Sequence, residues 1–319
     1  MDKNAICKIN IDALLRFGRE VGFDIYIRLS DDKTIKISHA EDYRAVLPKY
    51  KEKGVQYVYV VKEQYTQYLE GLKSNLTNKF YNPSTTPQVQ LELLGDSYNA
   101  VRESLVQFGI NEVALSVAEE LSRKSLEVVT KSANIYQLFM DFKKNCGEQF
   151  MKKMITSYTT TLMISNFDWQ TGAIKEKAAL SCILSDIILN PEEIAELEAG
   201  RETPDELSER VYNHPLIISK MLQEGGNIVS KETAIMVEQH HERPDGTGFP
   251  KKLRHTTITL LSAIQIVAED FVENLVATNF DHRLHDEILR KFLSRYYQGN
   301  FRKAAMSLCK MFGMDVPGF

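Results

Sequence analysis

Beyond Val61 the chain carries apolar residues at the three- and four-residue spacing of an α-helix, and no later stretch alternates apolar and polar residues as a strand would. The longest of these patterns cover 88–108, 112–130 and 134–157. A region with this pattern and without strands folds as packed helices. The sequence therefore predicts a large all-α domain over 91–319.

The first 81 residues contain the strand patterns of the chain. Alternation over 24–30 and 34–38 predicts a hairpin, and 55–61 predicts a third strand because it is rich in Val and Tyr. Together with two helical patterns, these strands predict a small α/β module over 1–81. A linker follows at 82–90, where Asn, Pro, Ser and Thr are frequent. The expected fold class is thus a small N-terminal α/β module followed by a larger all-α domain.

The composition limits the classes of function. The 319 residues include 39 basic and 43 acidic side chains, a net charge of −4 without a long basic face, which argues against nucleic acid as the main partner. No stretch reaches the roughly 18 apolar residues of a membrane-spanning helix, and the charged start lacks the apolar segment of a secretion signal. The four cysteines form no CxxC pair, so neither a disulfide framework nor a cysteine-rich zinc site is expected. These features predict a cytoplasmic protein.

Acidic and imidazole side chains occur on several of the predicted helices. Asp186 lies in an almost unbroken apolar helix predicted at 178–189, where an isolated carboxylate is costly and must be paired or bound to a cation. His214 lies at a predicted helix start, and Glu269 borders the apolar stripe of another helix. Taken singly, these residues fit a salt-bridged core acid, a helix-start residue and a surface acid. With two adjacent histidines further along the chain, they are the ligand types that hold a divalent transition metal in a helical bundle.

The two adjacent histidines, His240 and His241, follow a predicted helix over 230–239 and precede an Asp-Gly-Thr-Gly turn. His240 lies four residues after Met236 and three after Val237, so it points to the buried side of that helix. A buried imidazole needs a partner, which a metal or an anionic ligand would supply. The alternative is a plain helix C-terminus, where histidine interacts favourably with the helix dipole and glycine ends the helix.

Residues 240–250 read HHERPDGTGFP and resemble the HHExxDGxGYP signature of the HD-GYP family, bacterial metal-dependent phosphodiesterases that act on cyclic di-GMP. Other positions resemble the His-Pro, His-Asp and Val-Ala-Asp elements of that family, respectively His214-Pro215, Ser185-Asp186 and Val267-Ala268-Glu269. The resemblance is close over about 130–280 and looser in the flanking helices, and it implies an HD-type helical fold. The first module resembles, more weakly, an accessory domain that precedes such domains.

The resemblance implies a centre of two or three metals, usually iron or manganese, in which the family aspartate at the position of Asp186 bridges two metals and a water is activated for attack on phosphorus. Zinc is a further candidate, and a protein without metal is the remaining alternative. The implied metal ligands are Asp186, His214, His240, His241 and Glu269, with Glu148 as an additional candidate.

The loop that follows the histidine pair is implied to be an exposed surface that meets nucleotide phosphates or a partner protein such as a diguanylate cyclase domain. The residues assigned to this loop are Arg243, Asp245, Gly246, Gly248, Phe249, Pro250, Lys251, Lys252 and Arg254. The alternative for its basic residues is a solvated loop without a ligand.

The chain departs from the family pattern at four positions. Ser185 stands where the family has a histidine ligand, and a serine hydroxyl is a poor ligand for these metals. Leu189 stands where the family has a lysine near the phosphate. Phe249 replaces a tyrosine, and Lys153 occupies the region of an early histidine that has no counterpart here. We therefore expect a mononuclear or asymmetric centre with fewer metals than in the family.

Two functions follow from this comparison. The first is a degenerate HD-GYP protein of cyclic di-GMP signalling, which binds a metal, the nucleotide or a partner protein and hydrolyses little or nothing. The alternative is an active cyclic di-GMP phosphodiesterase with a variant metal centre, in which Glu269, Glu148 or water fills the missing positions. The metal, the nucleotide and the partner stay open, and the tyrosine-rich first module is where a homodimer contact is expected.

Overall fold

The computed structural model describes residues 6–17, 24–30, 33–38, 43–132, 134–224 and 229–314. The chain divides into two compact units, Met1–Lys124 and Ser125–Phe319. The predicted fold class, a small sheet module followed by a helical domain, is confirmed. None of the described helices is long and apolar enough to cross a membrane.

The first unit contains a four-stranded antiparallel sheet. Its strands are β1 (Ile6–Asn10), β2 (Ile25–Ser30), β3 (Lys33–Ser38) and β4 (Tyr57–Val61), and they lie side by side in the order β1-β4-β2-β3. Val58 and Val60 of β4 are fully buried while Tyr57 is exposed, the alternation of a sheet with one covered face. The sequence does not predict β1, which is only five residues long. Residues 31 and 32, which join the two strands of the predicted hairpin, lie outside the described residues.

The first unit also contains helices, and the last of them crosses its boundary at Lys124. They are α1 (Ile11–Phe17), α2 (Tyr43–Glu52), α3 (Lys62–Ser74), a π-helical turn (Asn75–Lys79), α4 (Pro87–Phe108) and α5 (Glu112–Lys131). Pro48 lies inside α2 and does not end it. Tyr65 and Tyr68 of α3 are buried, so these two tyrosines fill the core of the unit.

Helix α4 belongs to the first unit and shortens the predicted linker. It begins at Pro87 with Thr86 as its N-cap, because proline suits the first turn of a helix. The Tyr65 hydroxyl donates to the Ala100 carbonyl over 2.9 Å and ties α3 to α4. The second half of the predicted linker at 82–90 is therefore helical, and the division between the units falls within α5.

The second unit is helical. Its helices are α6 (Ile135–Cys146), α7 (Glu148–Ile164), α8 (Gly172–Leu184), α9 (Pro191–Ala199), α10 (Glu209–Glu224), α11 (Lys231–Gln239), α12 (Leu260–Ala277), α13 (His285–Arg295) and α14 (Gly299–Met311), with short 3-10 turns at Pro204–Glu206 and His282–Leu284. Helix α7 packs against α6, α8 and α12, and α11 packs against α8 and α10. The main core gathers around α12 and α14, where Phe271 and Phe301 are almost fully buried.

Helix α8 ends earlier than the sequence predicts. The apolar run 178–189 predicts one helix, but α8 ends at Leu184, and turns follow in which the Leu189 N–H donates to the Asp186 carbonyl over 3.0 Å. Periodicity cannot reveal this end, because every residue of the run is buried in helix and turn alike. The turn places Asp186 just beyond the C-terminus of α8 instead of on its side.

Helix α10 begins before the predicted start. The Asn-His-Pro sequence predicts a helix start at His214, but α10 begins at Glu209 and contains both His214 and Pro215. The proline removes one backbone hydrogen bond from the middle of the helix.

Candidate metal centre

Four of the predicted ligands converge in the second unit. The ligand atoms of Asp186, His214, His240 and His241 all lie within 4.8 Å of one another. The Nε2 atoms of the three histidines lie 2.9, 3.1 and 3.4 Å from the Asp186 Oδ1, in the order of their numbers. The turn after α8, helix α10 and the end of α11 therefore bring one carboxylate oxygen and three imidazole nitrogens to a single point.

The hydrogen bonds of two histidines fix which nitrogen faces the cluster. His214 Nδ1 lies 2.6 Å from the Val211 carbonyl, and His240 Nδ1 lies 2.6 Å from the Val237 carbonyl. A carbonyl oxygen only accepts, so each Nδ1 carries the proton and donates. In the neutral rings, each Nε2 therefore presents a lone pair toward the cluster.

Both accepting carbonyls are free because of their positions in their helices. The Val211 carbonyl would normally accept from the N–H four residues later, but that residue is Pro215, which has none. The Val237 carbonyl lies in the last turn of α11, where helix carbonyls lack intrahelical donors. The His-Pro pair and the helix end thus orient the two imidazoles.

The electrostatics of the cluster favour a bound cation. Burial lowers the pKa of His214, and burial together with His240 lowers the pKa of His241 well below its usual range. Burial alone would raise the pKa of Asp186, but the positive charge of Lys153 helps to hold it well below its usual range. Neutral imidazole lone pairs directed at a carboxylate repel it unless a cation lies among them. Three imidazole nitrogens and one carboxylate oxygen are a donor set that suits iron, manganese or zinc.

An unpartnered nitrogen also fits this interpretation. His241 Nε2 is buried and makes no hydrogen bond, and its side chain is only 8% exposed. A buried polar atom without a partner costs about 1–3 kcal/mol. A metal ion at the cluster would satisfy it.

Glu269 lies beside the cluster and is connected to it through Lys153. The ammonium of Lys153 on α7 pairs with Asp186 Oδ2 and lies 3.5 Å from Glu269 Oε1. All three side chains are at least nine-tenths buried. Glu269 Oε2 is buried without a hydrogen-bond partner.

Glu148, the additional ligand candidate, is not in the cluster. Its side chain is 42% exposed and pairs with Lys143 at 2.6 Å and Lys152 at 3.7 Å. The hydrogen bond from Lys143 lowers the pKa of Glu148 despite the opposing effect of burial. Glu148 lines the outer part of a cleft of about 180 Å³ that reaches Lys153 and Asp186.

The side chains of Ser185 and Leu189 contact other parts of the protein core instead of the histidine cluster. The Ser185 hydroxyl donates to the Ser181 carbonyl and accepts from the Gln265 amide, each over 2.8 Å. Gln265 in turn accepts from the Ser181 hydroxyl over 2.7 Å, which closes a buried ring of hydrogen bonds. The Leu189 side chain packs in a small apolar cluster with Phe249.

The loop after the histidine pair is built around Glu242. This buried carboxylate accepts from the backbone N–H groups of Lys251 and Leu253, both over 2.8 Å, and burial raises its pKa. Gly248 is needed for close approach, because a Cβ there would lie 2.3 Å from the Arg243 nitrogen. Gly246 has a φ of 82°, a conformation that glycine tolerates best.

Phe249 does not belong to an exposed partner surface, as the resemblance implies for this loop. Its ring is 3% exposed and stacks on the His241 ring with centroids 4.7 Å apart. It also packs against Tyr212, with centroids 5.3 Å apart. Phe249 therefore supports a predicted metal ligand from behind, and the following Phe249–Pro250 peptide is cis.

The basic side chains of the loop have acidic neighbours. Lys251 Nζ lies 2.6 Å from Glu238, and Lys252 Nζ lies 2.7 Å from Asp205. Further contacts of the loop include Arg243 with Glu202 at 3.1 Å and with the Arg201 carbonyl at 2.7 Å, Asp245 with Thr247 at 2.7 Å, and a backbone bridge between Asp245 and Arg254. Three of the basic side chains of this loop, those of Arg243, Lys251 and Lys252, are thus paired with acids.

Two residues of the site are absent from the predicted ligand set. Glu242 lies inside the motif, but its sequence neighbours do not reveal that it binds backbone N–H groups nine and eleven residues later. Lys153 carries a visible signal, because it is three residues after Phe150 and adjacent to Met154, on the apolar side of α7. A lysine on an apolar stripe predicts a buried acidic partner.

Comparison with known proteins agrees with this site. Residues 148–285 match the family model described as HD domain, and this range contains the whole histidine and aspartate cluster. This segment is an HD domain. No curated protein matches the sequence.

A solved structure extends the similarity beyond the HD domain. Bd1817, a HDG"Y"P protein from Bdellovibrio bacteriovorus, is similar over 97% of this chain and 99% of that chain, with a TM-score of 0.58 and 15% identity. The fold of the chain is therefore that of an HD-GYP protein, and the resemblance to that family is confirmed at the level of domain and fold.

Proposed function

We propose that this HD domain belongs to a degenerate HD-GYP protein of cyclic di-GMP signalling, which holds one divalent cation and acts mainly by binding. The observation that best supports this proposal is the difference between the two sides of the Asp186 carboxylate. On one side of Asp186, three histidines complete a ligand set. On the other side lies the ammonium group of Lys153, while the neighbouring Ser185 hydroxyl donates to the Ser181 carbonyl and Leu189 packs in an apolar cluster.

The chain's own residues support binding of a phosphodiester near the cluster. When bound, a divalent cation supplies Lewis-acid charge to a phosphoryl oxygen. A small cleft leads to His240 and His241, and three guanidinium groups line it, those of Arg201, Arg243 and Arg295. Arginine binds phosphate in a bidentate manner. Because these arginines contact acids in the free protein, a bound phosphodiester would replace those acids as their partner.

The same residues argue for weak hydrolysis. Cleavage of a phosphodiester is accelerated when positive charge faces both the attacking and the leaving oxygen. Here the charge of Lys153 is already paired with Asp186 and Glu269 in a buried contact, and Leu189 is apolar where the related family has a lysine. A missing charge at a developing oxyanion costs about 3 kcal/mol, roughly a hundredfold in rate.

An active phosphodiesterase with a variant centre is the alternative, and one observation favours it. Glu269 Oε2 is buried and has no hydrogen-bond partner, so this carboxylate retains a free position for a ligand or a water. A protein partner at the loop is a separate proposal. The exposed part of that surface is limited to Asp245, Thr247, Lys251, Lys252 and Arg254.

The test combines elemental analysis of freshly purified protein with calorimetric titration by cyclic di-GMP and an assay for the linear dinucleotide. We expect about one iron, manganese or zinc per chain, with nucleotide binding and little or no product. Asp186→Asn should lose the metal, because it removes the anionic ligand and keeps the shape of the side chain. Asp168→Asn, at an exposed carboxylate between α7 and α8, is the matched control.

Two results would contradict the proposal. Two metals per chain with rapid product formation would establish the active alternative. Absence of both metal and nucleotide binding would leave only a protein-binding role.

A further inference from the structure

The two oxygens of Asp186 have different partners. Oδ1 faces the three histidines at 2.9 to 3.4 Å. Oδ2 faces the ammonium of Lys153. The carboxylate is thus shared between the histidine cluster and a second cationic position that the protein itself fills.

The second position has the surroundings of a cation site. Lys153 Nζ lies between Asp186 Oδ2 and Glu269 Oε1, and the three side chains are 6%, 7% and 10% exposed. The second oxygen of Glu269 is buried and without a hydrogen-bond partner. Two carboxylates that face one point are the ligands that magnesium and manganese prefer.

The neighbouring cations are committed to other acids. Lys152 pairs with Glu148, Glu198 and Glu273, and Arg201 pairs with Glu273. Among the ion pairs of the described residues, Lys153 is therefore the cation that contacts both Asp186 and Glu269. Without it, two buried carboxylates would lack a counter-charge, which is strongly destabilising.

We propose that the Lys153 ammonium occupies a second cation position of this centre, and that removing its charge opens a two-carboxylate site for a divalent cation. The wild-type protein then takes a single divalent ion at the histidines. The cleft of about 180 Å³ beside Lys153 gives room for water ligands at the vacated position. This inference deepens the proposed function, since the histidine site is the first of the two positions.

The test is the manganese content of Lys153→Met, which keeps the length of the side chain and removes its charge. After equilibration with manganese and removal of free ion, we expect about one ion per chain in the wild type and about two in the variant. Asp186 would lie between the two ions, so the variant should also show an exchange-coupled manganese spectrum in electron paramagnetic resonance that the wild type lacks. Lys153→Gln should behave in the same way.

Two control variants test the location. Lys152→Met removes the adjacent lysine, which contacts neither Asp186 nor Glu269 directly, and should keep the wild-type content. Lys153→Met combined with Glu269→Gln removes one of the two carboxylates, and should return the content to about one.

The outcomes separate this inference from the proposed function. If the wild type binds no ion but Lys153→Met gains one, the proposed histidine site fails while this inference stands. Two ions in the wild type, or no gain in either Lys153 variant, would overturn the inference. Failure of both variants to fold in the presence of manganese would also overturn it, because a divalent cation is expected to replace the lost charge.

Discussion

At the residue scale, the His-Pro pair is explained by one hydrogen bond. Pro215 leaves the Val211 carbonyl without its helix donor, and His214 Nδ1 takes that acceptor at 2.6 Å. The bond fixes the proton on Nδ1 and directs the Nε2 lone pair at the cluster. Hydrogen bonds of this kind, one step behind a metal ligand, commonly change metal affinity by about 10–100-fold.

Pro215→Ala is expected to change stability and metal affinity in opposite directions. Alanine restores the backbone donor to Val211, which favours the helix by up to about 3 kcal/mol and competes with His214 for the carbonyl. The free energy of unfolding of the metal-free protein should rise, while metal affinity should fall by about tenfold or more. Chemical denaturation and metal competition titrations measure the two quantities. A parallel rise or fall of both would show that the proline has no part in orienting His214.

At the element scale, the loop after α11 is held by a carboxylate instead of by secondary structure. Glu242 accepts from two backbone N–H groups of the returning chain, and Gly248 allows that chain to pass close to Arg243. This arrangement keeps Phe249 stacked on His241. The loop therefore packs against the histidine cluster from the side of His241.

Glu242→Gln should loosen this loop without unfolding the helices. The amide keeps one acceptor oxygen, so one of the two buried N–H groups loses its partner at a cost of about 1–3 kcal/mol. Hydrogen exchange at Lys251 and Leu253 should become faster, while the helical circular dichroism stays the same. Glu238→Gln removes only the negative charge that faces the Lys251 ammonium and should change stability by less than about 0.5 kcal/mol. Equal effects of the two variants would contradict the role given to Glu242.

At the scale of the whole molecule, both units bury tyrosine hydroxyls. Tyr65 and Tyr68 belong to the first unit and Tyr296 to the second, and burial raises the pKa of each well above its usual value of about 10. A raised folded-state pKa means that the folded protein keeps a proton that the unfolded chain releases. The contribution of these protons to the free energy of unfolding is fully present below about pH 10 and is lost as the pH rises above that value.

Alkaline titration should therefore separate two groups among the fourteen tyrosines. Absorbance at 295 nm should show an early phase while the helical signal is intact, and a late phase that includes Tyr65, Tyr68 and Tyr296 and coincides with unfolding. In guanidinium chloride the two phases should merge near pH 10. Complete ionisation before any loss of helical signal would contradict the burial of these three hydroxyls.

Much of the fold follows from local pattern. The hairpin, the third predicted strand and the succession of helices are visible as alternation and as three- and four-residue spacing. The end of α8 and the start of α10 are not, because a fully buried run has no periodicity and because His214-Pro215 resembles a helix start. Strand β1 is too short to give a clear pattern.

By itself, the sequence determined the residue types of the centre and the local geometry that orients them. The proline after His214, the helix end at Gln239 and the glycines of the loop act on neighbours within a few residues along the chain. Only the tertiary structure decided which groups share the pocket. Lys153 meets Asp186 across 33 positions and Glu269 across 116, and the packing of α7 against α8 and α12 makes these contacts. Sequence periodicity indicates which face of a helix is buried. Which residues of a neighbouring helix contact that face depends on how the helices pack.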